Sequence, residues 1–180
     1  RRGSAREKET TMLISSKLEE ALNRQVGREM GASLQYLAIA AHFDRLTLKQ
    51  LARFFYRQSD EERGHALKFA RHLVDAGASV ALGAIPAARG EFASAEEAVA
   101  LSLAAEEEVT RQIASLMEQA IQSQDHVSQE FLRWFVSEQL EEVRTMEELL
   151  TVVRRAGPDG LLLVEEYLAR QPAPHAEEGA

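Results

Sequence analysis

Apolar positions in this 180-residue chain recur every three to four residues through four long stretches, the period of an amphipathic helix. The polar boundaries between them supply helix ends. Ser16-Lys17-Leu18-Glu19, Thr47-Leu48-Lys49-Gln50 and Ser94-Ala95-Glu96-Glu97 each fit a capping box, in which a hydroxyl and a later acid or amide satisfy free amide groups. Asp125 marks a fourth start. Gly77 and the Gly157-Pro158 pair mark stops, because glycine tolerates the left-handed cap and proline cannot continue the helix. The pattern predicts helices over 16–43, 48–76, 94–122 and 126–155, and a short fifth helix in "LLLVEEYLAR" at 161–170.

Each long helix would run for about 40 Å at roughly 1.5 Å per residue, so neighbours should pack nearly parallel or antiparallel as a bundle. Short turns join the first helix to the second and the third to the fourth, whereas "GASVALGAIPAARGEF", Gly77 to Phe92, is long enough to pass along the bundle. The expected fold is all-α, a four-helix bundle with one long crossover connection and a short fifth C-terminal helix. Residues 12–170 form its single domain. Residues 1–11, "RRGSAREKETT", read as a disordered arm or an appended scar, and 171–180, "QPAPHAEEGA", as a flexible tail.

The four stripes are not wholly apolar. The second helix reads Leu51, Phe55, Gln58, Glu62, His65, Phe69 and His72 along one face. Glu62 and His65 stand at the Glu-x-x-His spacing that sets an oxygen and a nitrogen ligand side by side. The first gives Leu22, Val26, Glu29, Ser33, Tyr36 and Ala40; the third Val99, Leu103, Glu106, Thr110, Ile113 and Met117; the fourth Leu132, Phe135, Gln139, Glu142, Met146 and Leu149. Every long helix thus carries an acid in mid-stripe, and both Glu29 to His65 and Glu106 to Glu142 span 36 positions, a weak internal repeat of two hairpins. One such acid alone usually snorkels outward, but four converging between helices would destabilise a bundle unless cations or protons neutralise them. A pair of metal ions resolves the conflict, with Glu62 as its natural bridge; the oxygen-rich set with one imidazole suits iron or manganese. His72, seven residues beyond His65, lies about 10.5 Å further along the axis and is too far to share that pair.

Composition narrows the reading. With no cysteine, disulfides, zinc–thiolate and iron–sulfur sites are excluded, so any metal must use carboxylate or imidazole. A net charge of −8 argues against nucleic acid as a partner and for cations. No apolar run approaches the roughly 18 residues needed to span a bilayer, and no export segment is apparent, so a cytoplasmic protein without a membrane partner is expected.

The stretches "LNRQVGREMGASLQYLAIAAHF", "FFYRQSDEERGHALKF" and "FLRWFVSEQLEEV" together resemble the ferritins, specifically the non-haem bacterial type, and the resemblance runs from Met12 to about Arg170. Where di-metal bundles with two Glu-x-x-His motifs would carry the second, this chain reads Gln139-Leu140-Glu141-Glu142, which fits ferritins and tells against bacterioferritins and many di-iron oxygenases. Haem-binding relatives have a methionine two residues before the matched histidine; Arg63 stands there, so no haem is expected.

The resemblance implies a di-iron ferroxidase centre, with Glu29, Glu62 and His65 holding one iron, Glu62 and Glu106 the second, and Gln139 or Glu142 assisting. It implies that Tyr36 sits beside that centre and that Glu61, Glu138, Glu141 and Glu142 form a third iron site. It also implies a homo-oligomeric shell of 24 subunits that takes ferrous iron and dioxygen (or peroxide) and stores a ferric mineral. Three alternatives differ in kind. A structural bundle without ferroxidase activity would not need the Glu29, Glu62, His65 and Glu106 set. A DNA-protecting mini-ferritin would lack the fifth helix and build its site across subunits. A small di-iron oxygenase would need a substrate pocket.

Overall fold

The structure, a computed structural model, describes residues 13–171; the expectations for residues 1–11 and for all of the tail beyond Gln171 lie outside the described residues. The described chain forms α1 (Ser16–Arg45), α2 (Lys49–Asp75), α3 (Ala95–Gln122), α4 (His126–Ala156) and α5 (Leu161–Arg170), with a 3₁₀ turn at Pro158–Gly160 before α5. No described residue is in a strand, and no described helix is long and apolar enough to cross a membrane. α1 packs along α2 and α3 along α4, α1 also meets α3, and α5 closes one end against α2 and α4. The all-α bundle with one long crossover and a short fifth helix is thus the fold observed.

The caps explain most of the boundaries. Ser94 Oγ accepts from Glu97 N and Asp125 Oδ1 accepts from Ser128 N, as their positions predict. At α1 the cap falls one residue earlier than expected, on Ser15, whose Oγ accepts from Leu18 N. The capping box at Thr47 does not form. Thr47 lies in the left-handed region (φ 65°), and Leu48 N donates back to Phe43 O, so Thr47 closes α1 instead. The linker is only Leu46 to Leu48, too short for one hydroxyl to serve both helices. The free amides of α2 are met from elsewhere: Gln50 N and Leu51 N donate to the Glu165 carboxylate of α5 at 2.8–3.0 Å. Gly77 (φ 78°) and Gln124 (φ 55°) end α2 and α3 by the same back-bonded closure.

The crossover from α2 to α3 runs alongside α1 and is held by two side-chain amides. Asn23 accepts from Ala81 N and donates to Ser79 O, and Gln35, three turns on, accepts from Arg89 N and donates to Arg89 O. Inside, the core is split in two. One apolar cluster, around Tyr36, Phe43, Phe55, Val99 and Met146, extends to Val164 of α5. The other gathers Leu18, Leu22, Phe69, Ile113, Leu132 and Phe135 at the opposite end. The polar layer between them contains the acids of the four stripes.

The stripes on α1, α2 and α4 are buried as predicted. The α3 stripe is corrected. Its buried line runs Val99, Ser102, Glu106, Val109, Ile113, Leu116 and Ala120, while Leu103 and Met117 are half-buried and Thr110 more exposed. Both lines share Val99, Glu106 and Ile113, and α3 is rotated about one residue from the phase its larger apolar side chains suggest.

Candidate metal centre

Glu29 of α1, Glu62 and His65 of α2, and Glu106 of α3 are all 1–3% exposed in this layer, joined by Gln139 (2%) and Glu142 (5%) of α4. Five of the six arise from the helical period alone, because α1, α2 and α4 each bury a mainly apolar stripe and carry these groups in mid-stripe; Glu106 survives the change of phase on α3. Glu29, Glu62 and His65 each offer an atom within 4.8 Å of the others, and His65, Glu138 and Glu142 do the same. His65 joins the two groups, with Nδ1 3.6 Å from Glu62 Oε2 and Nε2 3.5 Å from Glu138 Oε1.

Neutral groups hold these side chains in place. Gln25 Nε2 donates to Glu29 Oε1 at 2.8 Å, and the Tyr36 hydroxyl donates to Glu106 Oε1. Thr110 Oγ1 donates to Gln139 Oε1 at 3.1 Å, although it is bonded as well to the Glu106 carbonyl. Trp134 meets the His65 ring edge-on, with ring centroids 5.5 Å apart, and carries the Lys68 ammonium over its face. Gln25 was not evident from the stripe, yet it stands four residues before Glu29, a helical neighbour that spacing from a known acid would have found. His72, placed outside the pair by its distance, is instead a core histidine. Its Nε2 meets Ser128 Oγ at 2.9 Å and its ring stacks on Phe131.

The electrostatics of this layer are strained without a cation. Burial, reinforced by the neighbouring Glu62 charge, lifts the Glu29 carboxyl well above the usual range. Burial and then the Glu106 charge do the same to Glu62. Glu106 is pushed up to about 7 by burial, an effect its hydrogen bond from Tyr36 partly offsets. Glu142 is pushed to about 8 by burial together with the charges of Glu106 and Glu61. Burial alone would lower the His65 pKa, but hydrogen bonding to Glu138 and the surrounding carboxylates bring it above its ordinary value. Tyr36 is held well above the normal phenol range, by burial first and the Glu106 charge second.

The donor atoms also fit a metal. Glu29 Oε2, Glu62 Oε2, His65 Nδ1 and Glu106 Oε2 are buried with no hydrogen-bond partner among the described residues. Leaving such atoms unsatisfied costs roughly 1–3 kcal/mol each, more when charged, and cations bound between them would remove that cost. Three carboxylates and one imidazole form a hard, oxygen-rich set suited to iron or manganese.

The outer acids lie next to this layer. Glu61, Glu138, Glu141 and Glu142 line one cavity of about 80 Å³ together with Phe54, Arg57, Gln58 and Thr145. Glu61 and Glu141 are exposed at its rim, and Gln58 Nε2 donates to Glu61. The helical stripes could not have placed Glu61 or Glu141, which do not lie on them.

The ferritin-like domain family matches residues 19–156 of the chain. Ferritin BfrB of Mycolicibacterium smegmatis is 37% identical over 175 residues, covering 93% of this chain and 96% of that protein. The bacterial non-heme ferritin of Staphylococcus aureus is 37% identical over 158 residues, covering 87% and 95%. Among solved structures, an open-pore ferritin from the hyperthermophilic archaeon Archaeoglobus fulgidus superposes with a TM-score of 0.85 at 32% identity, covering 89% of this chain and 99% of that one. Agreement of that extent, in sequence and in fold, makes this chain a member of the ferritin family, similar throughout its helical domain to the bacterial non-haem ferritins.

Proposed function

We propose that this ferritin oxidises ferrous iron with dioxygen at a di-iron centre within each subunit and stores the ferric product inside a shell of 24 copies. The observation that carries this reading is the set of four buried donor atoms, Glu29 Oε2, Glu62 Oε2, His65 Nδ1 and Glu106 Oε2, left unpartnered between two apolar clusters. Family membership supplies iron as the metal and storage as the purpose.

In this reading Glu29, Glu62 and His65 hold one ferrous ion, and Glu62 is shared with a second held by Glu106. Glu142 is favoured over Gln139 as the further ligand, because a buried carboxylate offers charge to the cation where the carboxamide offers none. As the ions enter, Glu29, Glu62 and Glu106 release the protons that burial makes them keep, so charge brought in by metal is offset by protons leaving. Two ferrous ions would together give two electrons to one dioxygen, which with two protons leaves as hydrogen peroxide, and the carboxylates would stabilise the ferric charge. Tyr36, bonded to Glu106, fixes that ligand. Glu61, Glu138, Glu141 and Glu142 form a third iron site in the adjoining cavity, with His65 between it and the pair. No haem, nucleic acid or membrane enters the reaction.

The test is aerobic loading with ferrous iron followed by size-exclusion chromatography, reading iron and protein across the same elution, with the initial oxidation followed by stopped-flow absorbance. A fast oxidation phase and abundant iron in a particle of many subunits support the proposal. Iron-free protein eluting as a monomer or dimer would overturn it.

A further inference from the structure

Glu29 and Glu106 enter the centre from different helices, but their carboxylates are treated alike. Each has one oxygen engaged by a neutral donor on α1 and the other buried without a partner. Gln25 takes Glu29 Oε1 and Tyr36 takes Glu106 Oε1, leaving Oε2 of each acid toward the layer's unpartnered set. Gln25 is fully buried one helical turn before Glu29, and its orientation is set by Arg28, whose guanidinium can only donate and so must meet the amide oxygen, leaving the NH₂ side toward Glu29. Its own Oε1 is reached by Arg28 Nη1 at 3.4 Å, which ties the amide to the helix surface. The neutral amide suits the position. A cationic donor there would compete with an arriving cation for the charge of Glu29, and a carboxylate would repel the acid it has to hold.

We propose that Gln25 is a positioning residue of the metal centre: by occupying Glu29 Oε1 it restricts Glu29 to binding the ion shared with Glu62 and His65 through Oε2 alone. Gln25 thus does for Glu29 what Tyr36 does for Glu106. This inference rests on the metal-centre reading above, and it concerns one ion of the pair rather than both.

The experiment is an anaerobic titration of the assembled protein with Co²⁺, following its d–d absorbance, in two backgrounds. Glu106→Ala leaves the Glu29, Glu62 and His65 set; Glu29→Ala leaves Glu62 and Glu106. Gln25→Leu should weaken Co²⁺ binding about 10- to 100-fold in the first background, the range typical of groups that orient a metal ligand, and leave the second unchanged. Unchanged affinity in the Glu106→Ala background would overturn the inference while leaving the centre intact. Equal losses in both backgrounds would also overturn it, because they would show a general loosening of α1. Should Gln25→Leu fail to assemble, Gln25→Met, closer in length, carries the same expectation. Absence of Co²⁺ binding in the unsubstituted protein would instead overturn the metal-centre reading, and this inference with it.

Discussion

Nε2 of His65 lies 3.5 Å from Glu138 Oε1, so the imidazole that stands beside Glu62 in the buried layer also touches an acid that lines the outer cavity. The two substitutions at this contact should separate. His65→Ala removes the only nitrogen donor of the inner set and should slow the first phase of ferrous oxidation by at least about 10-fold, with assembly intact. Glu138→Gln keeps a hydrogen-bond acceptor for Nε2 and should change the initial phase less, with its larger effect on how many ions each subunit binds. Stopped-flow absorbance and metal stoichiometry read the two effects. An unchanged initial rate in His65→Ala would remove it from the ligand set.

Protons and metal ions should each stabilise this layer, since either neutralises its buried carboxylates. Glu106 and Glu142 have folded-state pKa values near 7 and 8, both raised above the unfolded carboxyl value of about 4.5. Between those limits the folded state binds more protons than the unfolded one, so stability falls as pH rises through the window. His65, also raised, contributes stability that is lost in the same direction as it deprotonates. The melting temperature of the apoprotein should therefore drop by several degrees from pH 5 to pH 8, a change of order a few kcal/mol. Divalent cations at pH 8 should restore it, because they bind the ionised ligands of the folded state alone. Scanning calorimetry at both pH values, with and without Co²⁺, checks both signs.

The Glu165 carboxylate should be worth about as much as a helix cap although it belongs to another helix. It accepts from Gln50 N and Leu51 N, amides that no side chain of α2 reaches. Glu165→Ala should cost about 0.5–2 kcal/mol. Glu165→Gln, which keeps one acceptor, should cost less. Faster hydrogen exchange at Gln50 and Leu51 and through α5 would localise the loss, and unaltered exchange there would argue against it.

That same cap shows where sequence reading stops. Helix number, order and most ends were legible because hydrophobic period and capping chemistry are local, as at Ser94 and Asp125. The Thr47 box was misleading because its geometry depends on a linker so short that one residue has to close the preceding helix, and the replacement, Glu165, is 115 residues from Gln50. The inner acids were legible for a different reason: Glu29, Glu62 and Glu142 interrupt otherwise apolar stripes, and only a common layer explains all of them. On α3 the phase slipped because Leu103 and Met117 are larger than Ser102 yet pack at the edge. Glu61 and Glu141 leave no periodic trace, since an acid at the rim of a cavity looks like any solvated helix position. Only the ferritin resemblance singled them out.

The crossover offers a test of how a long connection is held. Gln35 binds both the N–H and the C=O of Arg89, at 2.9 and 2.8 Å, and acts on the backbone as a strand partner would. Arg89 also pairs with Glu97 and lies over Phe92, so its side chain has anchors independent of Gln35. Gln35→Ala would remove the backbone anchor alone. Two hydrogen bonds at roughly 0.5–1.5 kcal/mol each correspond to about a 5- to 150-fold rise in the population of the locally opened crossover. Trypsin cleaves after arginine and requires an extended, released backbone, so cleavage at Arg89 in the folded protein should accelerate by that factor while the global melting temperature moves little. Asn23→Ala, which removes the amide contacts to Ser79 and Ala81 but leaves Ser79 N on the Glu19 carboxylate, should leave cleavage at Arg89 nearly unchanged. Equal acceleration in both variants would mean that the crossover opens as one unit, and no acceleration in Gln35→Ala would mean that the Glu97 and Phe92 contacts suffice to hold it.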